Sequence, residues 1–345
     1  MPGSSKQSPK RKPSEVAAET KRTYLPHIKK QYAQTHSYLF DHPPTQCVFG
    51  PENRPTNFTH PEFYLKSGDP VDIALGWQQE TNAYVPVICA ANDKRPGGDW
   101  ETGVQGYEER LCRRSSLAAT LATPAPDWAS CNFPIPSTGG IYSPCVVVFL
   151  KANYDKLSPE EWGSLPIVSV PPTRWPKLVP EGNKYSFSDE RAMVKDKIRG
   201  ALLICAWYGH ERVVVSGDWG LGNGHRNPPR ELAEVWREVL LYDPVLRGRI
   251  RQVAFVFEDA GQSTAQMIAA EMSKKDGKKG GGAAKAGKEG KGKGAAGAAA
   301  AATSCGGVGM PTDASIFLAV FDEEEIRRVV EQPDARYGLD NLLTK

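Results

Sequence analysis

Five short apolar runs constrain this chain most, because each one passes into a polar or glycine loop and then into a helical pattern. VPVICAAN, IYSPCVVVFLK, LPIVSVP, ERVVVSGDWG and QVAFVFED are β-rich and continuously apolar, as strands buried on both faces must be. Between them lie candidate helices: PVDIALGWQQ with Asp69 as N-cap and Pro70 at its first position, GYEERLCRRSSLAATL, SDERAMVKDKIRGALLICAWYG capped by Ser188, and PPRELAEVWREVLLYD. FYLKSGD reads as a further short strand and SIFLAVFDE as a last one. Such alternation predicts an α/β domain with a mixed, mostly parallel sheet flanked by helices.

Ligands of such sheets bind outside the strand ends, in the loops that open helices. Two loops fit. Residues 92–109 hold carboxylates and a Gly-Gly pair, and residues 216–229 hold clustered glycines. Glycines let backbone N–H groups approach a diphosphate, and a helix start favours its charge. As plain structure, the same glycines are turn residues and the paired glutamates are a solvated first turn.

The rest of the chain narrows the classes. The net charge of +3 is misleading, because residues 274–293 carry eight lysines against Asp276 and Glu289, an excess of 6, which leaves about −3 elsewhere. The domain therefore offers no basic face for nucleic acid. Residues 273–310 read as a Lys/Gly/Ala low-complexity insertion within the domain. Residues 1–20 read as a disordered basic N-terminus with Lys10-Arg11-Lys12 as a weak nuclear-import candidate. Residues 21–61 read as a helical and loop extension, and 62–345 as the domain proper. Seven scattered cysteines with no CxxC pair argue for free thiols and against a metal site. No apolar run reaches the length of a membrane span, and the N-terminus lacks a signal-peptide core.

The first loop begins with Asn92, continues through Gly97-Gly98-Asp99 and a seven-residue spacer, and reaches Tyr107-Glu108-Glu109 before Leu111-Cys112-Arg113. Downstream come IYSPCVVVF and the loop Gly217-Asp218-Trp219-Gly220-Leu221-Gly222, then Arg226-Asn227-Pro228-Pro229. In this order the motifs resemble the microbial-type poly(ADP-ribose) glycohydrolases over roughly residues 65–260. The resemblance implies a macrodomain-like fold with an N-terminal helical extension. It also implies a hydrolase of ADP-ribose polymers that acts without cofactor or metal, as a monomer in the nucleus or cytoplasm, with ADP-ribose, poly(ADP-ribose) or ADP-ribosylated proteins as partners.

Glycoside cleavage needs an acid for the leaving oxygen and a carboxylate to activate water. The resemblance gives that work to Glu109, with Glu108 beside it on the ribose. The ADP-ribose-binding set it implies is Asn92, Gly97, Gly98, Asp99, Tyr107, Gly217, Trp219, Gly220, Leu221, Gly222, Asn223, Gly224, His225 and Asn227. Because a helix start favours an ionised carboxylate, burial or the Glu108 charge must raise the acid. Three departures bear on activity: Asp99 replaces a third glycine and brings a charge toward the diphosphate, Tyr107 replaces a glutamine, and Asn223-Gly224-His225 lengthen the second loop. They keep two alternatives in play, a reader of ADP-ribose without turnover and a hydrolase of mono-ADP-ribosylated proteins.

Overall fold

The computed structural model describes residues 11–44, 60–279 and 310–331. In chain order its elements begin with α1 (Pro13–Glu19), a π-helical turn (Thr20–Tyr24), α2 (Leu25–Gln31), β1 (Tyr38–Phe40), β2 (Glu62–Ser67), α3 (Pro70–Thr81) and β3 (Val87–Ala90). Then come α4 (Tyr107–Arg114), α5 (Leu117–Leu121), β4 (Gly140–Val148), β5 (Gly163–Val170), α6 (Ser188–Trp207) and β6 (Arg212–Ser216). The remainder is α7 (Gly222–His225), α8 (Pro229–Tyr242), β7 (Gln252–Phe257), α9 (Thr264–Lys279), α10 (Asp313–Val320) and α11 (Glu323–Glu331).

The seven strands form one sheet in the order β1-β4-β5-β3-β6-β7-β2. The run from β5 to β2 is parallel, while β4 pairs antiparallel with β5, and β1 with β4. The expected mixed, mostly parallel sheet is therefore present. Its two faces follow the two-residue period of the strands. Ile88, Val213, Val215 and Phe255 face a core shared with α6, α8 and α10. Val87, Cys89, Val214 and Ala254 face another shared with α3, α4 and α5. Both faces are dry, which is why these strands carry no alternating polar residues.

Asp69 does cap α3, its Oδ1 accepting from the Val71 amide at 3.0 Å, and Pro70 opens the helix. Six expectations need correction. Residues 13–19 are helical rather than disordered: Pro13 stands in the first turn, and Val16 and Ala17 are fully buried. With Tyr24 stacked on Phe149 at 4.3 Å, this segment adds a small core of its own. Its Arg11 is engaged by Glu19 and the Tyr154 carbonyl, and Lys10 lies outside the described residues. The extension and the domain are also not separable at residue 62, because β1 completes the sheet edge.

SIFLAVF is helix, not strand. Thr312 caps it by accepting from the Ser315 amide, and Phe317 and Phe321 pack four residues apart against Phe255. A short apolar run fits either period, and here the cap decided. The single helix expected over residues 106–121 breaks at Ser115, which is extended and bridges Val148. Ser188 lies inside α6 and does not cap it; Phe187 occupies the N-cap position. Finally, α9 extends to Lys279, seven residues into the segment expected to be low-complexity throughout. Residues 280–309 lie outside the described residues. Among the described residues no helix is long and apolar enough to cross a membrane.

Candidate active site

The ends of β3, β6 and β7 open into one cleft of about 400 Å³. Asn92, Tyr107, Glu108, Glu109, Arg110 and Arg174 border it on the β3 side. Ser216, Gly217, Asp218 and Leu221 to His225 form its middle, and Phe257, Glu258, Asp259 and Gln262 its far end. The two loops expected to meet at a ligand do meet.

Glu108 and Glu109 occupy the second and third positions of α4 yet stand in different surroundings. Glu108 is buried; its Oε2 accepts the Asn92 amide at 2.7 Å, while Oε1 is buried with no hydrogen-bond partner. Burial raises its carboxyl to about 8, the Glu109 charge adding and the Asn92 amide opposing. The acid that burial raises is thus Glu108.

Glu109 is half-buried at the cleft edge. Its carboxylate lies between two glycines: a Cβ on Gly98 would stand 2.6 Å from Oε1, and one on Gly106 would collide with Oε2. Gly98 also has a φ of +56°, a conformation a side chain disfavours. A side chain at either position would push the carboxylate aside, and the Asp99 amide approaches it at 3.5 Å.

Several other expected residues frame the site rather than border the cleft. Gly97, with φ +70°, backs onto Cys112 and Trp100. Trp219 is buried against Trp236 and donates to the Val170 carbonyl. Asn227 is fully engaged, accepting from the Tyr185 hydroxyl and donating to the Thr173 and Gly220 carbonyls. Gly220, with φ +77°, turns the loop beside it. Gly217 and Gly222 reach the cleft with their amides already used, the first by the Val256 carbonyl at 2.7 Å and the second by Thr264 Oγ1 at 2.7 Å. Cradling a diphosphate therefore does not fall to those two amides.

Asp99 is a further correction. It is exposed, outside the cleft, and ion-paired with Arg95, four residues back on the same loop. Tyr107 points its ring inward; its hydroxyl is buried without a partner and Arg110 lies 5.8 Å from the ring centre. His225 is half-buried, and burial, helped by Arg174, lowers it to about 4, so its ring is neutral at pH 7.

Asp218, Arg110, Arg174, Glu258 and Gln262 were not singled out from the sequence. Asp218 takes the Ser216 hydroxyl, and withdrawal from solvent raises its carboxyl. Arg110 is ion-paired across the cleft floor with Glu258. Glu258 follows an apolar strand, and the strand-end rule would have found it; Arg174 sits in Pro-Pro-Thr-Arg-Trp, which carries no such signal. Among the described residues no group of histidines, cysteines and carboxylates is arranged to hold a metal ion.

The family model for the microbial-type PARG catalytic domain matches residues 14–151. Of solved structures, the poly(ADP-ribose) glycohydrolase of Thermomonospora curvata is 20% identical with a TM-score of 0.58, over 75% of this chain and 98% of that one. Its complex with the inhibitor ADP-HPD gives 21% and 0.56, over 76% and 98%. A variant of the Deinococcus radiodurans enzyme in complex with ADP-ribose gives 22% and 0.51, over 71% and 96%. No curated protein matches the chain. Residues 14–151, which hold the first loop and both glutamates, carry the microbial-type PARG catalytic-domain pattern, and the chain has the fold of the bacterial poly(ADP-ribose) glycohydrolases.

Proposed function

We propose that this chain is a glycosidase that binds ADP-ribose in the cleft and cleaves ribose–ribose O-glycosidic bonds of poly(ADP-ribose). The observation that carries the reading is the seating of Glu109, a half-buried carboxylate held at the cleft edge between Gly98 and Gly106. There it protonates the leaving oxygen as the anomeric bond opens and then, as a carboxylate, takes a proton from the attacking water. Glu108, raised by burial to about 8, borders the cleft beside it and in its protonated form donates an O–H to a ribose hydroxyl. Asn92 is held by its own loop, its Oδ1 accepting the Lys94 and Arg95 amides, and bounds the ribose end. Arg174 supplies positive charge at the carboxylate end of the cleft, which Asn223 and Gly224 also line. The described cysteines are all free thiols, which suits action in the nucleus or cytoplasm.

The alternatives keep the same cleft: a reader lacks turnover, and a mono-ADP-ribosyl hydrolase acts on modified side chains. Calorimetry with ADP-ribose, paired with release of ADP-ribose from polymer, separates them. Glu109→Gln preserves shape and removes the titrating group, so turnover drops by at least about 100-fold while ADP-ribose affinity holds. A wild-type chain that binds ADP-ribose and releases none from polymer is a reader. One that frees it only from modified protein is the mono-ADP-ribosyl enzyme.

A further inference from the structure

The loop after β5 reads Pro171-Pro172-Thr173-Arg174-Trp175-Pro176, and its middle residues point two ways. Arg174 borders the cleft together with Glu108 and Glu109, and the Asn227 side-chain amide donates to the Thr173 carbonyl at 2.9 Å, so the loop stands beside both the carboxylates and the second site loop. Trp175 carries its indole outward and is 52% exposed. Its φ is +54°, a left-handed conformation that a bulky residue keeps only where its surroundings impose it. Here they do. The Trp175 amide donates to the His225 carbonyl at 2.7 Å, which ties the ring to the second site loop. The Arg226 guanidinium lies 4.2 Å from the ring centre and is itself held by Glu271 and Asn223. With one face covered by a guanidinium and half the residue exposed, the other face is open to solvent.

An immobilised, outward indole backed by a cation is a platform for a planar base. Its position says which base. If ADP-ribose lies along the cleft as proposed above, its anomeric bond is at Glu109, and the leaving oxygen is the ribose hydroxyl of the next adenosine. That adenosine continues past the carboxylate end, where Arg174 and Trp175 stand. We propose that Trp175 and Arg226 form a leaving-side subsite that stacks the adenine of the unit beyond the scissile bond, with Arg174 facing the phosphates. The subsite rests on the functional reading above and makes the chain prefer polymer over a single ADP-ribose.

The test compares ADP-ribose with a two-unit ADP-ribose oligomer, by calorimetry, on full-length Glu109→Gln, in which turnover of the oligomer is slowed by at least about 100-fold. The oligomer should bind about 10-fold tighter or more, the contribution of one base–aromatic stack. Adding Trp175→Ala should abolish that advantage and leave ADP-ribose affinity unchanged, while Trp175→Phe should keep most of it. In the otherwise unaltered enzyme, Trp175→Ala should raise KM for polymer with kcat nearly constant. Equal affinities for the two ligands in Glu109→Gln overturn the subsite alone. So does a Trp175→Ala loss shared equally by both ligands, since that marks the ring as a loop support. A chain that binds neither ligand overturns the functional reading and the subsite with it.

Discussion

Gly222 donates its amide to Thr264 Oγ1 at 2.7 Å, and that hydroxyl donates onward to Asp313 at 2.7 Å. The glycine loop of the cleft is thereby fastened to the first residues of two helices, α9 and α10. All three residues are buried. Asp313 also takes the Thr264 amide and the Gln262 side chain, and Gln262 itself borders the cleft.

Replacing Thr264 by valine keeps the volume and removes the relay. The Gly222 amide then loses its acceptor and Asp313 one donor, and an unsatisfied buried group costs about 1–3 kcal/mol. Thermal unfolding should show a lowered Tm, and calorimetry a weaker hold on ADP-ribose. Thr264→Ser should recover most of both. An unchanged Tm in the valine variant would mean that water satisfies the loop.

Glu108 sets a pH dependence. Its folded-state value near 8, against 4.5 for an ordinary glutamate, means that the folded protein keeps a proton the unfolded chain releases. By linkage, its contribution is most favourable below about pH 4.5, declines as pH rises toward 8, and is level above that. Glu108→Gln should flatten this decline, measured as urea-unfolding free energy at pH 5, 6.5 and 8. An identical slope in both proteins would place the ionised carboxylate in water.

Asp99→Gly should leave ADP-ribose affinity within about twofold. The carboxylate lies outside the cleft and pairs with Arg95 on the surface, where such pairs are worth at most about 1 kcal/mol. A tightening of tenfold or more by calorimetry would instead put Asp99 against the diphosphate.

The fold class, the positions of the five buried strands along the chain and the meeting of the two loops were legible in the sequence, because they follow from local patterns. A strand dry on both faces is continuously apolar, Asp69-Pro70 marks a helix start, and a loop at a strand end lines a cleft. The adjacent Glu108 and Glu109 were legible as a pair. What each does there was not. One helical step puts Glu108 in the interior and Glu109 at the cleft edge, and only packed neighbours decide which carboxyl burial raises. Likewise, spacing could not tell that Gly217 and Gly222 spend their amides on Val256 and Thr264, or that Asp99 turns to Arg95. Those pairings depend on residues up to about forty positions away. The helix at Asp313–Val320 and the outward Trp175 belong to the same class. A short apolar run fits either period and a lone tryptophan suggests a core, so only the surrounding contacts, from Phe255 in one case and from His225 and Arg226 in the other, settle where each side chain stands.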